Sequence, residues 1–277
     1  MREEAARKAK RRKVVVQSSV IVGIIAVLAI IGVVIFTSVG GAGSSAANPK
    51  NMASGGILLT SPTKAVTTPA IPSGGKATPT KMELDGKTAH IQIWLDYQCP
   101  YCDQFETTNN EQIKQWLSEG SATLEVHPVA ILDSTQNKQY STRAAAAASC
   151  VASEQPDKFF DVNAALFANQ PDEQTGTGLT NEEILKVFKD AGVDSKEITD
   201  CVNKQTYADF ITNQTQQATA NAQLKNPTSG GFGTPTVFVN GERYQGGFTD
   251  AAQFAAFKDA AVKDAGSGKT ITFPTAS

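Results

Sequence analysis

The architecture of this chain follows from one segment, residues 90–102, which read HIQIWLDYQCPYC. Its first part, His90–Tyr97, is apolar and β-rich and predicts a buried strand. Cys99–Leu117 has the pattern of a helix, and Pro100 fits the first helical position because its missing N–H costs nothing there. The strand therefore leads directly into a helix that starts at a pair of cysteines.

The spacing of Cys99, Pro100, Tyr101 and Cys102 predicts redox chemistry. Cys99 faces the positive end of the helix dipole and unpaired backbone N–H groups, which stabilise the thiolate that reacts in disulfide exchange. Cys102 lies on the same face of the helical turn, so it can attack a mixed disulfide and release the partner. We expect an exposed first thiol and a shielded second one.

Two other interpretations of a CxxC motif are half of a zinc site and a permanently closed disulfide. Zinc usually requires two further ligands from a second CxxC motif or a histidine pair. The other cysteines, Cys150 and Cys201, are isolated, and the histidines are His90 and His127. We therefore favour a redox pair and expect neither a metal nor a cofactor.

The residues that follow complete an α/β pattern. Residues 122–127 alternate as a second strand, and residues from about 133 to 226 are helical in character. Residues 236–245 predict a hairpin because Asn240-Gly241 supplies the positive φ angles of a type I′ turn. A last amphipathic helix is expected over residues 250–265, which gives an α/β unit split by a helical block.

A second feature is Gly233-Thr234-Pro235-Thr236, which enters the strand before the hairpin. A proline at the start of a strand is ordinary by itself. Together with a CxxC motif at a strand-to-helix junction, it resembles the thioredoxin superfamily. The resemblance implies a cis peptide bond at Pro235 opposite the active-site cysteines, and pairing of the Thr234 backbone with an extended substrate.

Within that superfamily, residues 99–106, CPYCDQFE, are similar to the active-site helix of the DsbA family. The helical block and residues 233–241 resemble membrane-anchored DsbA-like proteins of Gram-positive bacteria, and the resemblance covers about residues 85–265. It implies a thioredoxin fold with an inserted helical domain that forms disulfides in exported proteins. Cys99 would be the reactive sulfur and Cys102 the resolving one. By analogy, a DsbB- or VKOR-like membrane protein would reoxidise the pair.

Two departures from the family pattern, and the affinity of thiolates for soft metals, keep alternatives open. Strongly oxidising DsbA proteins carry Pro-His where this chain has Pro100-Tyr101, so a less oxidising pair in an isomerase or reductase remains an alternative. A thiol-based metal chaperone is an alternative of a different class, because soft thiolates suit Cu(I). Ile93 occupies the position of the family's buried acid. We expect Asp96 and Glu106 to be solvated or capping carboxylates, with a proton acceptor for the cysteine pair as the alternative.

The remaining cysteines, Cys150 and Cys201, predict a structural disulfide, since an even count in an oxidising compartment favours pairing. A second redox relay is the alternative, although no CxxC pattern surrounds either residue. His127, at the end of its strand, is interpreted as a hydrogen-bonded structural histidine, with a proton shuttle as the alternative.

The N-terminus predicts a membrane anchor. Residues 1–13 form a basic tail with a net charge of +5, and residues 14–36 contain no charged side chain. These 23 residues span about 34 Å as a helix, enough to cross a bilayer core of about 30 Å. The basic tail should stay in the cytoplasm and the remainder outside. Cleavage of this segment as a signal peptide near residues 44–46 is the alternative.

Beyond the anchor, residues 37–55 are rich in Gly, Ser, Ala and Asn and predict a flexible linker. Residues 56–277 are assigned to the catalytic domain, with Ile57–Thr60 as its first strand. The full chain of 277 residues has a formal charge of −2, which argues against nucleic acid as a partner. We therefore expect a single-pass cell-membrane protein whose substrates are reduced exported proteins.

Overall fold

The computed structural model describes residues 47–174 and 176–272, all within one unit, Gly41–Ser277. The strands are β1 (Ile57–Ser61), β2 (Lys64–Ala65), β3 (Lys81–Asp85), β4 (Ala89–Leu95), β5 (Ala122–Pro128), β6 (Thr236–Val239), β7 (Glu242–Arg243) and β8 (Ser267–Thr272). The helices are α1 (Pro100–Glu119), α2 (Tyr140–Glu154), α3 (Phe159–Ala168), α4 (Asn181–Asp190), α5 (Lys196–Asn203), α6 (Ala208–Ala220) and α7 (Ala251–Ala265).

The central sheet has the strand order β2-β1-β5-β4-β6-β7. β4 and β5 are parallel and are joined by α1, while β6 runs antiparallel to β4 on its other side. The predicted α/β fold is therefore confirmed, and helices α2 to α6 lie in the chain between β5 and β6. Because β4 is central, every residue of this strand is buried.

Alternation along β4 divides the interior into two parts. Ile91, Ile93 and Leu95 belong to the larger core, which also contains apolar side chains of α1 and of the helices after β5. Trp94 faces the other way and packs in a smaller cluster with Val129, Ala218, Leu224 and Phe238. The end of β4 is thus fixed by packing on both faces of the sheet.

The hairpin is shorter than the sequence predicts. Asn240 and Gly241 both have positive φ, at 49° and 85°, as a type I′ turn requires. Strand pairing ends at Glu242–Arg243 instead of continuing to residue 245. A second sheet, made of β3 and β8, does not follow from the sequence pattern at all.

The expected linker 37–55 is wrong over its described part, residues 47–55. Met52 is fully buried, and the Asn51 amide donates to the carbonyl oxygen of Ala152 at 2.9 Å while its oxygen accepts from Thr68 N–H at 3.0 Å. Small polar residues occur both in tethers and in tight turns, so composition did not separate the two.

The predicted anchor, residues 14–36, lies outside the described residues. In the described ranges, 47–174 and 176–272, no helix is both long and apolar enough to cross a membrane.

Candidate active site

The end of β4 and the start of α1 bring Cys99 to the helix N-terminus. The Cys99 N–H donates to the carbonyl oxygen of Asp96 at 3.0 Å, which closes a turn after the strand. The carbonyl oxygen of Cys99 then accepts from the N–H groups of Cys102 and Asp103, at 3.0 and 3.1 Å. Cys99 is therefore the N-cap residue, with Pro100 as the first helical residue.

The loop before β6 covers the same sulfur. β6 pairs with β4 so that Thr236 lies opposite Trp94, and this register carries Thr234 and Pro235 to Cys99. The Cys99 thiol donates to the carbonyl oxygen of Thr234 at 3.3 Å, and the Thr234–Pro235 peptide bond is cis.

The two cysteines are free thiols whose pKa values are shifted in opposite directions. A hydrogen bond from the Cys102 thiol lowers the pKa of Cys99 to about 7. Burial opposes this shift, and the Thr234 side chain and the α1 backbone N–H groups support it. Burial raises the pKa of Cys102 well above its usual range, and the neighbouring Cys99 adds to that rise. In the reduced protein near neutral pH, Cys99 is therefore the cysteine that ionises, and Cys102 stays protonated.

Cys99 is less exposed than the sequence predicts. Only 4% of its surface is accessible, against 1% for Cys102, because the Thr234 loop packs over it. The exposed member of the motif is Tyr101, at 58%, whose ring centroid lies 6.3 Å from that of Phe248.

The expectation of solvated carboxylates at Asp96 and Glu106 is wrong, since both are buried. Burial raises the pKa of Asp96 to about 6, although hydrogen bonds from Gln98 N–H and Ser141 oppose the rise. Asp96 also accepts from Leu132 N–H at 3.0 Å. A single sequence shows a charged residue after a strand but does not show the loop that covers it.

Glu106 belongs to a buried hydrogen-bonded chain. Tyr97 donates from its hydroxyl to Asn163 Oδ1 at 2.9 Å, and Asn163 Nδ2 donates to Glu106 at 3.0 Å. Burial raises the pKa of Glu106, and the two asparagines Asn163 and Asn110 oppose the rise. This chain connects α1 to α3 beside Cys102.

His127 lies in a buried polar network on the Trp94 side of the sheet. Its ring stacks on Trp94 at 4.4 Å, and its Nε2 lies 3.1 Å from Gln92 Nε2 and 3.6 Å from Glu125 Oε2. Gly56 packs so closely below the ring that a Cβ there would be 2.7 Å from it. None of these contacts reaches Cys99 or Cys102, which favours the interpretation of His127 as a hydrogen-bonded structural histidine.

Glu125 is the charged member of that network. It accepts hydrogen bonds from Thr80 at 2.6 Å, from Gln92 at 3.1 Å and from the Ser54 hydroxyl. Burial alone raises the pKa of Glu125, but His127 and the Ser54 and Thr80 hydroxyls together lower it below its usual value.

Cys150 on α2 and Cys201 on α5 are joined by a disulfide. Cys150 is fully buried and Cys201 is partly buried, within the helices that follow β5. The bond ties together two helices that are 51 residues apart in sequence. It is not part of the Cys99 site.

Two glutamines that sequence reasoning missed hold the Cys99 turn. Gln170 Nε2 donates to the carbonyl oxygens of both Tyr97 and Cys99, at 3.0 Å each. Gln98 Nε2 donates in the opposite direction, to the carbonyl oxygen of Pro171 at 2.9 Å. We call Gln98 and Gln170 the glutamine clamp. Glutamine is a common surface residue, so its type alone gives no signal of this role.

In the described part of the chain, no further side chain is placed to bind a metal ion together with Cys99 and Cys102. There, no group of three or more His, Cys, Asp or Glu side chains is placed to hold a metal ion.

The family model Thioredoxin_4, described as thioredoxin, matches residues 86–259. The reduced disulfide bond oxidoreductase DsbG from Mycobacterium tuberculosis is a similar structure, with 31% identity and a TM-score of 0.54. The match covers 64% of this chain and 79% of the DsbG chain. Oxidised DsbA from the same organism has 28% identity and a TM-score of 0.54, covering 67% of this chain and 93% of that chain.

Among curated proteins, the serine/threonine-protein kinase PknE of Mycobacterium tuberculosis is 29% identical over 152 residues. The match covers 53% of this chain but only 26% of the kinase, so the chain spans about a quarter of the length of the curated relatives it matches. The likeness is therefore confined to one part of that protein.

Proposed function

The chain belongs to the thioredoxin family and is a DsbA-like thiol–disulfide oxidoreductase, and from this we propose that it forms disulfide bonds in exported proteins through Cys99 and Cys102. The observation that carries the proposal is the asymmetry of the two thiols: the pKa of Cys99 is lowered to about 7, and that of Cys102 is raised. Stabilising the Cys99 thiolate favours the reduced enzyme relative to a pair of ordinary thiols, and it makes Cys99 the better leaving group. A pKa near 7 is also that of thioredoxin, so the reduction potential decides between a disulfide donor and a reductase.

The proposed reaction starts from the Cys99–Cys102 disulfide. A substrate thiolate attacks Cys99 Sγ; the bond to Cys102 breaks, and its electron pair leaves on Cys102. Cys102 then takes up a proton, because its raised pKa disfavours a buried thiolate. The second substrate thiolate attacks the substrate sulfur of the mixed disulfide, and Cys99 leaves as a thiolate. The substrate has lost two electrons, and the cysteine pair has gained them.

Substrate recognition is proposed at Thr234 and Pro235. An extended segment would lie beside this loop and pair with the Thr234 backbone, as in strand addition. The neighbouring rings of Tyr101 and Phe248 offer apolar contact without demanding a particular sequence. This arrangement supports broad substrate choice.

We further propose that residues 14–36 anchor the enzyme in the cell membrane with the cysteine pair outside and the basic tail in the cytoplasm. The charge asymmetry of the N-terminus supports this orientation. The Cys150–Cys201 disulfide supports an oxidising compartment. A DsbB- or VKOR-like membrane protein is proposed as the reoxidant. Membrane fractionation with protease accessibility tests the orientation.

The experiment that tests the function is the reduction potential of the Cys99/Cys102 pair in glutathione buffers. A value near the roughly −120 mV of DsbA supports a disulfide donor. A value near the roughly −270 mV of thioredoxin contradicts it and supports a reductase. Tight Cu(I) binding that involves both sulfurs, with no mixed disulfide, would instead support the metal chaperone.

A further inference from the structure

The glutamine clamp joins the active-site turn to the end of α3, in the helical segment between β5 and β6. Gln170 donates to the Tyr97 and Cys99 carbonyl oxygens, and Gln98 returns a hydrogen bond to Pro171. The two glutamines therefore form a reciprocal contact, in which each side chain satisfies backbone carbonyl groups of the other segment. Such groups need partners when they are buried.

The carbonyl oxygen of Cys99 is the acceptor that sets the geometry of the nucleophile. It accepts from Cys102 N–H, Asp103 N–H and Gln170 Nε2, at 3.0, 3.1 and 3.0 Å. These three donors fix the plane of the peptide unit between Cys99 and Pro100. Rotation of that plane would turn the following backbone N–H groups away from the sulfur.

Those N–H groups contribute to the charge on Cys99. The pKa of Cys99 is lowered by the Cys102 thiol and also by the backbone N–H groups of Cys102 and Tyr101. The Cys102 N–H is the same group that donates to the Cys99 carbonyl oxygen at 3.0 Å. A hydrogen bond to a charged sulfur depends on donor direction. The orientation of the Cys99–Pro100 peptide therefore matters to the thiolate, although Gln170 does not touch the sulfur.

We propose that Gln170 is a positioning residue, which holds the Cys99 carbonyl group so that the backbone donors of α1 face the Cys99 sulfur. In this way a residue of the helical segment tunes the reactivity of a thiol on the thioredoxin sheet. The proposal rests on the proposed role of Cys99 as the attacked sulfur. It does not depend on the direction of electron flow.

The test compares Gln170→Met with Gln98→Met in the full chain. Both changes preserve side-chain length and remove a donor, but only Gln170→Met removes one of the three donors to the Cys99 carbonyl oxygen. The pKa of Cys99 is measured from the pH dependence of alkylation by iodoacetamide in the reduced protein. We expect Gln170→Met to raise it by about half a unit, which is about a twofold loss of thiolate at pH 7 and about a threefold loss below pH 6. Gln98→Met should produce less than half of that shift.

A structural role would give a different result. If Gln170 only stabilises the fold, Gln170→Met lowers the urea midpoints of the oxidised and reduced forms equally and leaves the Cys99 pKa unchanged. That outcome overturns the proposal, as does an equal pKa shift in the two methionine variants. If Gln170→Met does not fold, Gln170→Leu serves instead because it removes the donor without adding charge, and an unchanged Cys99 pKa in that variant also overturns it. A reductase-like potential in the wild type would overturn the proposed function but not this inference.

Discussion

The thiol of Cys99 and the carbonyl oxygen of Thr234 lie 3.3 Å apart, although 135 residues separate them in sequence. The pairing of β4 with β6, with Trp94 opposite Thr236, brings them together. The contact therefore depends on a correct sheet register, because a shift of one residue would turn the side chains of β6 to the other face. The nucleophile and the proposed substrate loop are fixed by the same two strands.

Replacing Cys102 with alanine should trap substrates. In Cys102→Ala the Cys99 thiolate attacks a disulfide of an oxidised substrate and expels one substrate sulfur as a thiolate. The mixed disulfide that forms has no Cys102 thiol to resolve it, so covalent complexes accumulate and disappear with a reducing agent. Non-reducing electrophoresis followed by mass spectrometry measures them. Cys99→Ser is the matched control and should trap nothing. Complexes of equal abundance in both variants would contradict the assignment of Cys99 as the attacked sulfur.

The pH dependence of the reduced protein should reflect Cys99. Its pKa of about 7 predicts an alkylation rate that is half-maximal near pH 7 and falls about tenfold for each pH unit below it. Cys102, whose pKa is raised, should not react in that range. A half-maximal rate at the ordinary thiol value of about 8.5 would contradict the lowered pKa.

The same shift affects stability. Because the folded-state pKa of Cys99 lies below its unfolded value, the reduced form should gain stability relative to the oxidised form as pH rises from about 7 towards 8. Above about 8.5 the raised pKa of Cys102 opposes the gain. The gain is lost as pH falls through 7. Urea unfolding of both forms across this range measures the difference, and Asp96, which is present in both forms, cancels from it. A difference that is constant with pH would contradict the expectation.

Tyr101→His should make the pair more oxidising. Tyr101 is 58% exposed, so the change leaves the core intact. An imidazole beside the helix N-terminus can carry positive charge or donate a hydrogen bond to the Cys99 thiolate, which stabilises the reduced form. We expect the equilibrium constant with glutathione to shift towards the reduced enzyme by on the order of tenfold. Tyr101→Phe is the control and should behave as the wild type.

Removing the Cys150–Cys201 disulfide should affect stability without affecting the redox pair. The chain-entropy argument for a 51-residue separation gives a loss of about 4 kcal/mol in the double variant Cys150→Ala/Cys201→Ala. The urea midpoint measures the loss, and the Cys99 pKa should stay at its wild-type value. A variant that folds normally but loses substrate oxidation would show that the bond is a redox relay.

Much of the fold could be predicted from sequence because the signals are local. The strand before Cys99, the helix after it and the Asn240-Gly241 turn each depend on a few adjacent residues. The pairing of β3 with β8 could not be predicted, because Lys81 and Thr272 pair across almost the whole domain and each strand is short.

Only part of the active site could be predicted from the sequence. The cysteine pair and Pro235 stand out by residue type and spacing. Asp96 and Glu106 were misjudged because burial of a carboxyl group depends on distant chain segments such as the loop at Leu132 and the Asn163 side chain. The Gln170 contact was missed for the same reason, since it is formed with a turn 71 residues earlier.

The order of the four cysteines has a consequence for biosynthesis. Cys99 and Cys102 precede Cys150, and Cys150 precedes its partner Cys201, so each pair joins cysteines that are consecutive along the chain. If each thiol pairs with the next one to emerge during synthesis, these two pairings are the ones that form. An enzyme that makes disulfides in other proteins would in this way reach its own correct pairing without a disulfide isomerisation step.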